Sequence, residues 1–321
     1  MKYRILTLVL TIYVVALFSS HPATYALIND YRTANQLISD FMAFESEYPS
    51  FIDHVVIGYT VQENPIYMFR IGNRYGGKVL VDGSIHGAEY STSEVLYWFV
   101  DWLLRQEATE AQAIIANNYV LVVPILNIDA YRIGRHNAHN VDLNRNYPTA
   151  WGTLDDYARG PEPLSEPETE AMHHVFEEYK PTWYINLHTG DSRVSPAWCW
   201  TCEPAEDLDH MVSVYNDYAD ICQDRDISPL RYTRTCAYAG GTSRDEGYSN
   251  GAYSYCAELS TVLNPEYTTV LNVMVPQFIP LMIAVCQDCA GSYFPVVEAL
   301  SLIAIVVPLI GVFVYMKVRR K

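Results

Sequence analysis

Residues 83–94 read GSIHGAEYSTSE. They overlap the end of a strand-like run, KVLVDGSI (Lys78–Ile85), so His86 and Glu89 fall just past a strand end, three residues apart. An imidazole and a carboxylate at that spacing suit a metal ion. The same spacing recurs at His174 and Glu177 in HVFE, so the pattern alone decides nothing. Position separates the two pairs. In sheets of parallel strands, ligands gather at the carboxyl ends of the strands. The first pair lies there, whereas the second falls inside an amphipathic surface helix. A catalytic zinc takes three protein ligands and keeps a fourth position open. A third ligand should arrive from another strand end, and TWYINLH (Thr182–His188) supplies His188.

Two β-rich runs, His54–Val61 and Asn64–Gly72, are joined by a short polar turn and predict a hairpin. The strand 78–85 follows, then a helix over Ser91–Gln106 that opens with Ser and Thr and carries apolar residues at helical spacing. A short helix over 110–118 leads into a buried strand, Tyr119–Asn127, and a loop-rich stretch occupies 128–167. EPETEAMHHVFEEYK (Glu166–Lys180) begins with proline and acids, as a helix N-terminus should. Strand 182–188, helix 204–224, strand Tyr253–Leu259 and a helix over Pro265–Cys286, broken by Pro276 and Pro280, complete the order. Alternating strands and helices predict one α/β domain over residues 27–290. Its sheet is mixed and mostly parallel, flanked by helices on both faces.

The two ends read differently. In residues 1–26, Lys2 and Arg4 precede an uncharged run from Ile5 to Phe18 and a polar stretch with Thr24 and Ala26, the pattern of a secretory signal. No long activation segment is expected between it and the domain. Residues 294–316 are long and apolar enough to cross a hydrocarbon core, with no charge from Ala299 to Met316. Lys317, Arg319, Arg320 and Lys321 follow at once, which predicts a membrane helix, a short basic cytoplasmic tail (317–321) and an outward-facing domain at the cell membrane. Without these ends the chain has 36 acidic against 15 basic groups, about −21. Such a surface excludes nucleic acid as a partner and suits solubility outside the cell.

All seven cysteines fall between Cys199 and Cys289. In an exported domain this predicts disulfides in the C-terminal half. CWTC (Cys199, Cys202) and CQDC (Cys286, Cys289) resemble halves of a four-cysteine zinc site, but compartment and separation argue against one. Cys256, inside YSYCAEL, is expected to stay buried and free.

Around the proposed ligands lie GRHNAHNVDLNRNYP (Gly134–Pro148) and CAYAGGTSRDEGYSNGAYSYCAEL (Cys236–Leu259). With HGAE and TWYINLH, these blocks resemble, in order over roughly Pro49 to Leu263, the zinc metallocarboxypeptidases, the carboxypeptidase A-like hydrolases. The resemblance implies that fold, one Zn²⁺ per chain on His86, Glu89 and His188, and peptide substrates with a free C-terminal carboxylate. It implies Arg135 as the group that polarises the scissile carbonyl, in preference to Arg132, and Asn144 with Arg145 as the carboxylate clamp. It also implies Glu258 as general base. Tyr238 matches the tyrosine that closes over substrate, though displaced by one position, and Tyr248 or Tyr253 compete for that role. Gly190 stands where the digestive enzymes carry a tyrosine, which affects subsite contacts rather than the metal. Arg244, in GTSRD, resembles the residue at the base of the specificity pocket, where a guanidinium would favour C-terminal Glu or Asp.

The chemistry fits these types. Two imidazoles and a carboxylate leave Zn²⁺ residual positive charge, a planar guanidinium matches a carboxylate, and a glutamate inside a strand is costly to bury unpaired. Two other readings share part of the pattern. One is a zinc amidase or deacylase acting on cell-wall peptides or N-acyl amino acids. The other is a membrane-tethered binding module without catalysis, which the presence of Glu258 disfavours.

Overall fold

The computed structural model describes residues 30–154 and 157–291. The expected signal and membrane-crossing segments, 1–26 and 294–316, lie outside them.

A helix that the apolar spacing does not announce comes first. In α1 (Ala34–Glu47), Thr33 and Gln36 cap the N-terminus reciprocally. Strands β1 (Ile52–Tyr59) and β2 (Pro65–Gly72) form the expected hairpin. Next come β3 (Gly77–Asp82), α2 (Ser91–Arg105), α3 (Thr109–Asn117) and β4 (Asn118–Val123). After the loop-rich stretch stand α4 (Pro167–Tyr179), β5 (Trp183–His188), β6 (Asp191–Pro196) and α5 (Leu208–Asp224). The short β7 (Arg231–Tyr232), α6 (Ser243–Ser249), β8 (Tyr253–Ser260) and α7 (Val275–Ala290) follow.

The eight strands make one sheet in the order β1-β2-β4-β3-β5-β8-β6-β7. Its centre, β4-β3-β5-β8, is parallel, while the β1-β2, β2-β4 and β6-β8 pairs are antiparallel. Both faces are covered. Val79, Val81, Ile185 and Leu187 pack with residues of α1, α2, α5 and α7, whereas the alternate Leu80 and Tyr184 pack with Met172, Val175 and Phe176 of α4. The two-residue period of a strand thus sends successive side chains into two cores, which is why these strands read as continuous apolar runs.

The strands stop earlier than their apolar runs. β3 ends at Asp82 and β4 at Val123, before Pro124, which cannot donate to the ladder. Near the C-terminus, Pro276 and Pro280 do not sever the helical path Tyr267–Ala290 but force a π turn over Val270–Met274, since proline lacks an N–H and crowds the preceding turn. That path is long and apolar enough to cross a membrane. Phe278, Leu281, Met282 and Val285, however, are buried in the core, so it acts as a structural helix of the domain.

The cysteine expectation needs correcting. Among the described residues one disulfide forms, Cys202–Cys236, and five cysteines are free, Cys256 included. Cys222 and Cys286 are enclosed by apolar core residues with no partner thiol, and Cys202 pairs across a loop rather than with its CWTC neighbour. No four-cysteine cluster exists among the described residues.

Candidate metal centre and active site

His86 and Glu89 lie in the crossover from β3 to α2. Ser84, at φ 49°, turns the chain out of the strand, while Leu126 and Asn127 donate to the carbonyls of Gly83 and Ser84 and so hold the turn. The Glu89 amide donates to the His86 carbonyl at 2.9 Å, closing one turn that puts both side chains on the same side. Gly87 allows this because a Cβ there would stand 2.1 Å from the Ala130 carbonyl oxygen. His188 ends the neighbouring parallel strand β5. All three side chains are buried, and one donor atom from each lies within 4.8 Å of the others. The other His-x-x-Glu pair, His174 and Glu177, sits exposed on α4 with a simple 3.2 Å contact.

The hydrogen bonds around this group test whether it suits a cation. His86 Nε2 lies 3.1 Å from Asp142 Oδ1, and His188 Nε2 contacts Asn186 Oδ1. Both acceptors require protons on Nε2, leaving Nδ1 of each ring facing Glu89. The Nδ1 to carboxylate distances are 2.7 Å for His86 and 3.0 Å for His188. Two imidazole lone pairs turned to one carboxylate call for positive charge between them, supplied by protons in the free protein or by a divalent metal. The titration behaviour agrees. Burial alone would raise Glu89, but His188 and His86 outweigh it and hold the carboxyl far below its usual range. Burial likewise works against a charged His86, yet Glu89 and Asp142 push its pKa up. The donor set is that of a zinc hydrolase, and it fits the metal.

The long loop contributes the cationic side. Asp142 accepts from the Asn144 amide at 3.0 Å and caps a 3₁₀ turn, Leu143–Arg145. Its other oxygen accepts from Arg135 Nε at 2.8 Å. Arg135 Nη1 reaches within 3.7 Å of Glu89 Oε1. Its competitor Arg132 instead donates to the Tyr31 carbonyl and lies over the Tyr90 ring, away from the pocket. Asn144 Oδ1 accepts from the Ser243 amide at 2.9 Å, which fixes its amide nitrogen toward His188 Nε2 at 3.1 Å. With that ring nitrogen already donating to Asn186, the Asn144 amide has a donor left for a ligand. Arg145 follows, its guanidinium carbon 5.8 Å from the Tyr238 ring centre.

Glu258 stands on β8 in register with His188 on β5, so the two residues are adjacent across the sheet. Its Oε2 is buried and has no hydrogen-bond partner. Tyr238 is 67% exposed at the mouth, anchored by its amide to the Cys199 carbonyl. Tyr248 bonds Asp207 and packs on Trp198, Tyr253 packs on Trp183 and His210, and neither lines the cavity. Arg244, at the start of α6, is 3% exposed and lines the pocket beneath. All nine residues singled out from the sequence therefore border one cavity of about 400 Å³.

The sequence reading missed four residues. Asp142 was legible, being a carboxylate two positions before Asn144 in DLNRN. Asn186, two before His188, shares a strand face with it and is the polar intruder in an apolar strand. Asp82 accepts from both Tyr184 Oη and Asn186 Nδ2, so it steadies the residue that orients His188. Arg193, on β6, approaches Glu258 at 3.5 Å.

Comparison with known proteins gives a family model, zinc carboxypeptidase, that matches residues 37–276. Mast cell carboxypeptidase A of Rattus norvegicus is 24% identical over 260 residues, covering 71% of this chain and 62% of that protein. Carboxypeptidase O of Bos taurus is 23% identical over 264 residues, covering 72% and 70%. The chain thus spans less than two thirds of the rat relative's length. The crystal structure of carboxypeptidase A from Helicoverpa armigera superposes with a TM-score of 0.73 over 83% of this chain and 75% of that one, at 18% identity, which speaks to the fold.

Proposed function

Because the chain belongs to the zinc carboxypeptidase family, we propose that it removes C-terminal amino acids from peptides at the outer cell surface, with Glu258 as general base. The observation that carries the reading is one cavity bordered by a His-Glu-His donor set, an unpartnered buried carboxylate oxygen and two guanidiniums beside a neutral amide donor.

Zinc held by His86, Glu89 and His188 would supply a Lewis acid that lowers the pKa of water and polarises a carbonyl. The chain's own groups do the rest. Arg145 offers a planar fork to the substrate's terminal carboxylate, and Asn144 adds the donor that its bond to Ser243 aims into the cavity. Arg135, steadied by Asp142, presents fixed positive charge on the side of Glu89, where a carbonyl oxygen gains charge. Glu258 Oε2 takes a proton from water and returns it to the departing amine. Tyr238 covers the entrance. Arg244 in the pocket wall supports a preference for C-terminal Glu or Asp. The Cys202–Cys236 bridge supports an oxidising compartment, consistent with an exported, membrane-anchored domain.

The test is to give the zinc-loaded protein a mixture of unmodified peptides and record by mass spectrometry which terminal residues disappear. Stepwise loss, abolished by a C-terminal amide, is expected. Stoichiometric zinc without any loss would instead favour an amidase or deacylase.

A further inference from the structure

Four guanidiniums border the cavity, those of Arg135, Arg145, Arg193 and Arg244. On the proposed reading, Arg145 serves the terminal carboxylate and Arg135 the scissile carbonyl. Arg244 is assigned there to the side chain of the C-terminal residue, and Arg193 has no task in that account.

Arg244 is enclosed and incompletely satisfied. Its Nη1 donates to Thr235 Oγ1 at 3.0 Å and to the Ser195 carbonyl at 3.3 Å. Its Nε is buried without a hydrogen-bond partner, the nearest anion, Asp245 Oδ1, lying 3.5 Å away. A guanidinium so far removed from water is costly unless anions compensate it, and a ligand anion in the cavity it borders would do so. Arg193 is similar. It lies on β6, directly opposite Glu258 in the antiparallel pairing with β8. Its Nη1 is held by Asp191 at 2.9 Å, its Nη2 stands 3.5 Å from Glu258 Oε1, and its Nε is buried without a partner. The two arginines share a strand as support. Ser195, whose carbonyl anchors Arg244, is two residues beyond Arg193, so Arg193 and Ser195 emerge on the same side of β6. Both guanidiniums border the cavity and each is only partly met by the carboxylates beside it, Asp191 and Glu258 at Arg193 and Asp245 at Arg244, so the pocket wall can receive a further anion.

We infer that Arg193 and Arg244 together form a carboxylate subsite that selects an acidic side chain on the C-terminal residue, with Arg193 the second specificity-determining residue. The inference rests on the proposed carboxypeptidase reading and deepens it. Arg244 alone, with Nη1 already bound to Thr235 and Ser195, has few donors left for a carboxylate, whereas two guanidiniums grip both carboxylate oxygens and reject the isosteric amide, whose nitrogen would face their donors.

The experiment compares two peptides that differ only in a C-terminal Glu or Gln, using the zinc-loaded protein, Arg193→Met and Arg193→Lys. The wild type should prefer Glu, and Arg193→Met should lower the Glu-to-Gln ratio of kcat/KM by about tenfold or more. Arg193→Lys should recover part of it. The ratio is the readout because Arg193 also adjoins Glu258, so absolute rates fall for every substrate. Calorimetric binding of free L-glutamate against L-glutamine gives the same comparison without turnover, and it holds even if no peptide is cleaved. A wild type that prefers Glu with an unchanged ratio in Arg193→Met leaves selection to Arg244 alone and overturns the inference. Equal binding of the two amino acids by the wild type overturns the whole acidic subsite.

Discussion

Asp142 joins His86 to Arg135, one carboxylate oxygen 3.1 Å from the imidazole Nε2 and the other 2.8 Å from the guanidinium Nε. It also caps the turn that carries Asn144 and Arg145. One side chain therefore sets the orientation of a proposed metal ligand, of the arginine proposed to polarise the carbonyl and of the start of the proposed carboxylate clamp. Burial opposes its charge, but His86 prevails and holds the carboxyl far below its usual range. Asp142→Asn keeps an acceptor for the cap and loses the charge. It should weaken zinc binding about 10–100-fold, measured by competition with a chromogenic chelator. Wild-type zinc affinity would show that Asp142 serves the loop only.

The sequence carried the metal group because its signals are local: a His-x-x-Glu just past one strand end and a histidine ending another. Polar residues that act through those ligands left weaker marks. Asn186 and Asp82 interrupt apolar strands, and only the packed sheet shows that one steadies the other. Strand β6 was invisible, since DSRVSP carries charge and proline where a strand should be apolar. Its arginine faces the cavity, not a core, so function overrode the periodic pattern. Helix α1 went unread although Thr33 and Gln36 spell a capping box. The cysteines misled because composition limits how many bridges are available, while burial in separate core regions decides how many form.

Asp82 makes the stability of the domain depend on pH. It is wholly buried, and burial raises its carboxyl from 3.8 to about 6 although Asn186 and Tyr184 hydrogen-bond its charged form. Between those values the folded protein keeps a proton that the unfolded chain has released. The contribution is therefore complete below pH about 4 and is lost as pH rises through about 6. A shift of this size corresponds to about 3 kcal/mol. Urea midpoints of the metal-free protein from pH 4 to pH 7 should fall for the wild type and run flatter by that amount for Asp82→Asn. Parallel slopes would assign the pH dependence to other groups.

Glu258 is separable from the metal. It is paired in register with His188 but stands outside the three-residue donor group. Glu258→Gln should lower kcat about 10²–10⁴-fold, the span of a lost proton-transfer group. Zinc content, read by mass spectrometry of the metal, should stay at one per chain. Loss of zinc together with activity would make Glu258 a ligand instead of a base.

Tyr238 and the Cys202–Cys236 bridge belong to one device. The tyrosine follows Cys236 by two residues, its amide is bonded to the Cys199 carbonyl at 3.0 Å, and its ring lies over Arg145. An exposed ring on a free loop would sample many positions, whereas closing a 34-residue separation restricts both the unfolded chain and the mouth of the cavity. Replacing both cysteines by serine should cost at most about 4 kcal/mol of stability on the loop-entropy account. It should also raise KM for peptides more than it lowers kcat, because the loop must then be ordered by the substrate. Tyr238→Ala, with the bridge intact, should reproduce the KM effect at wild-type melting temperature. A double-serine variant that melts earlier yet keeps its KM would restrict the bridge to the fold and leave the entrance to be held by the Tyr238 amide alone.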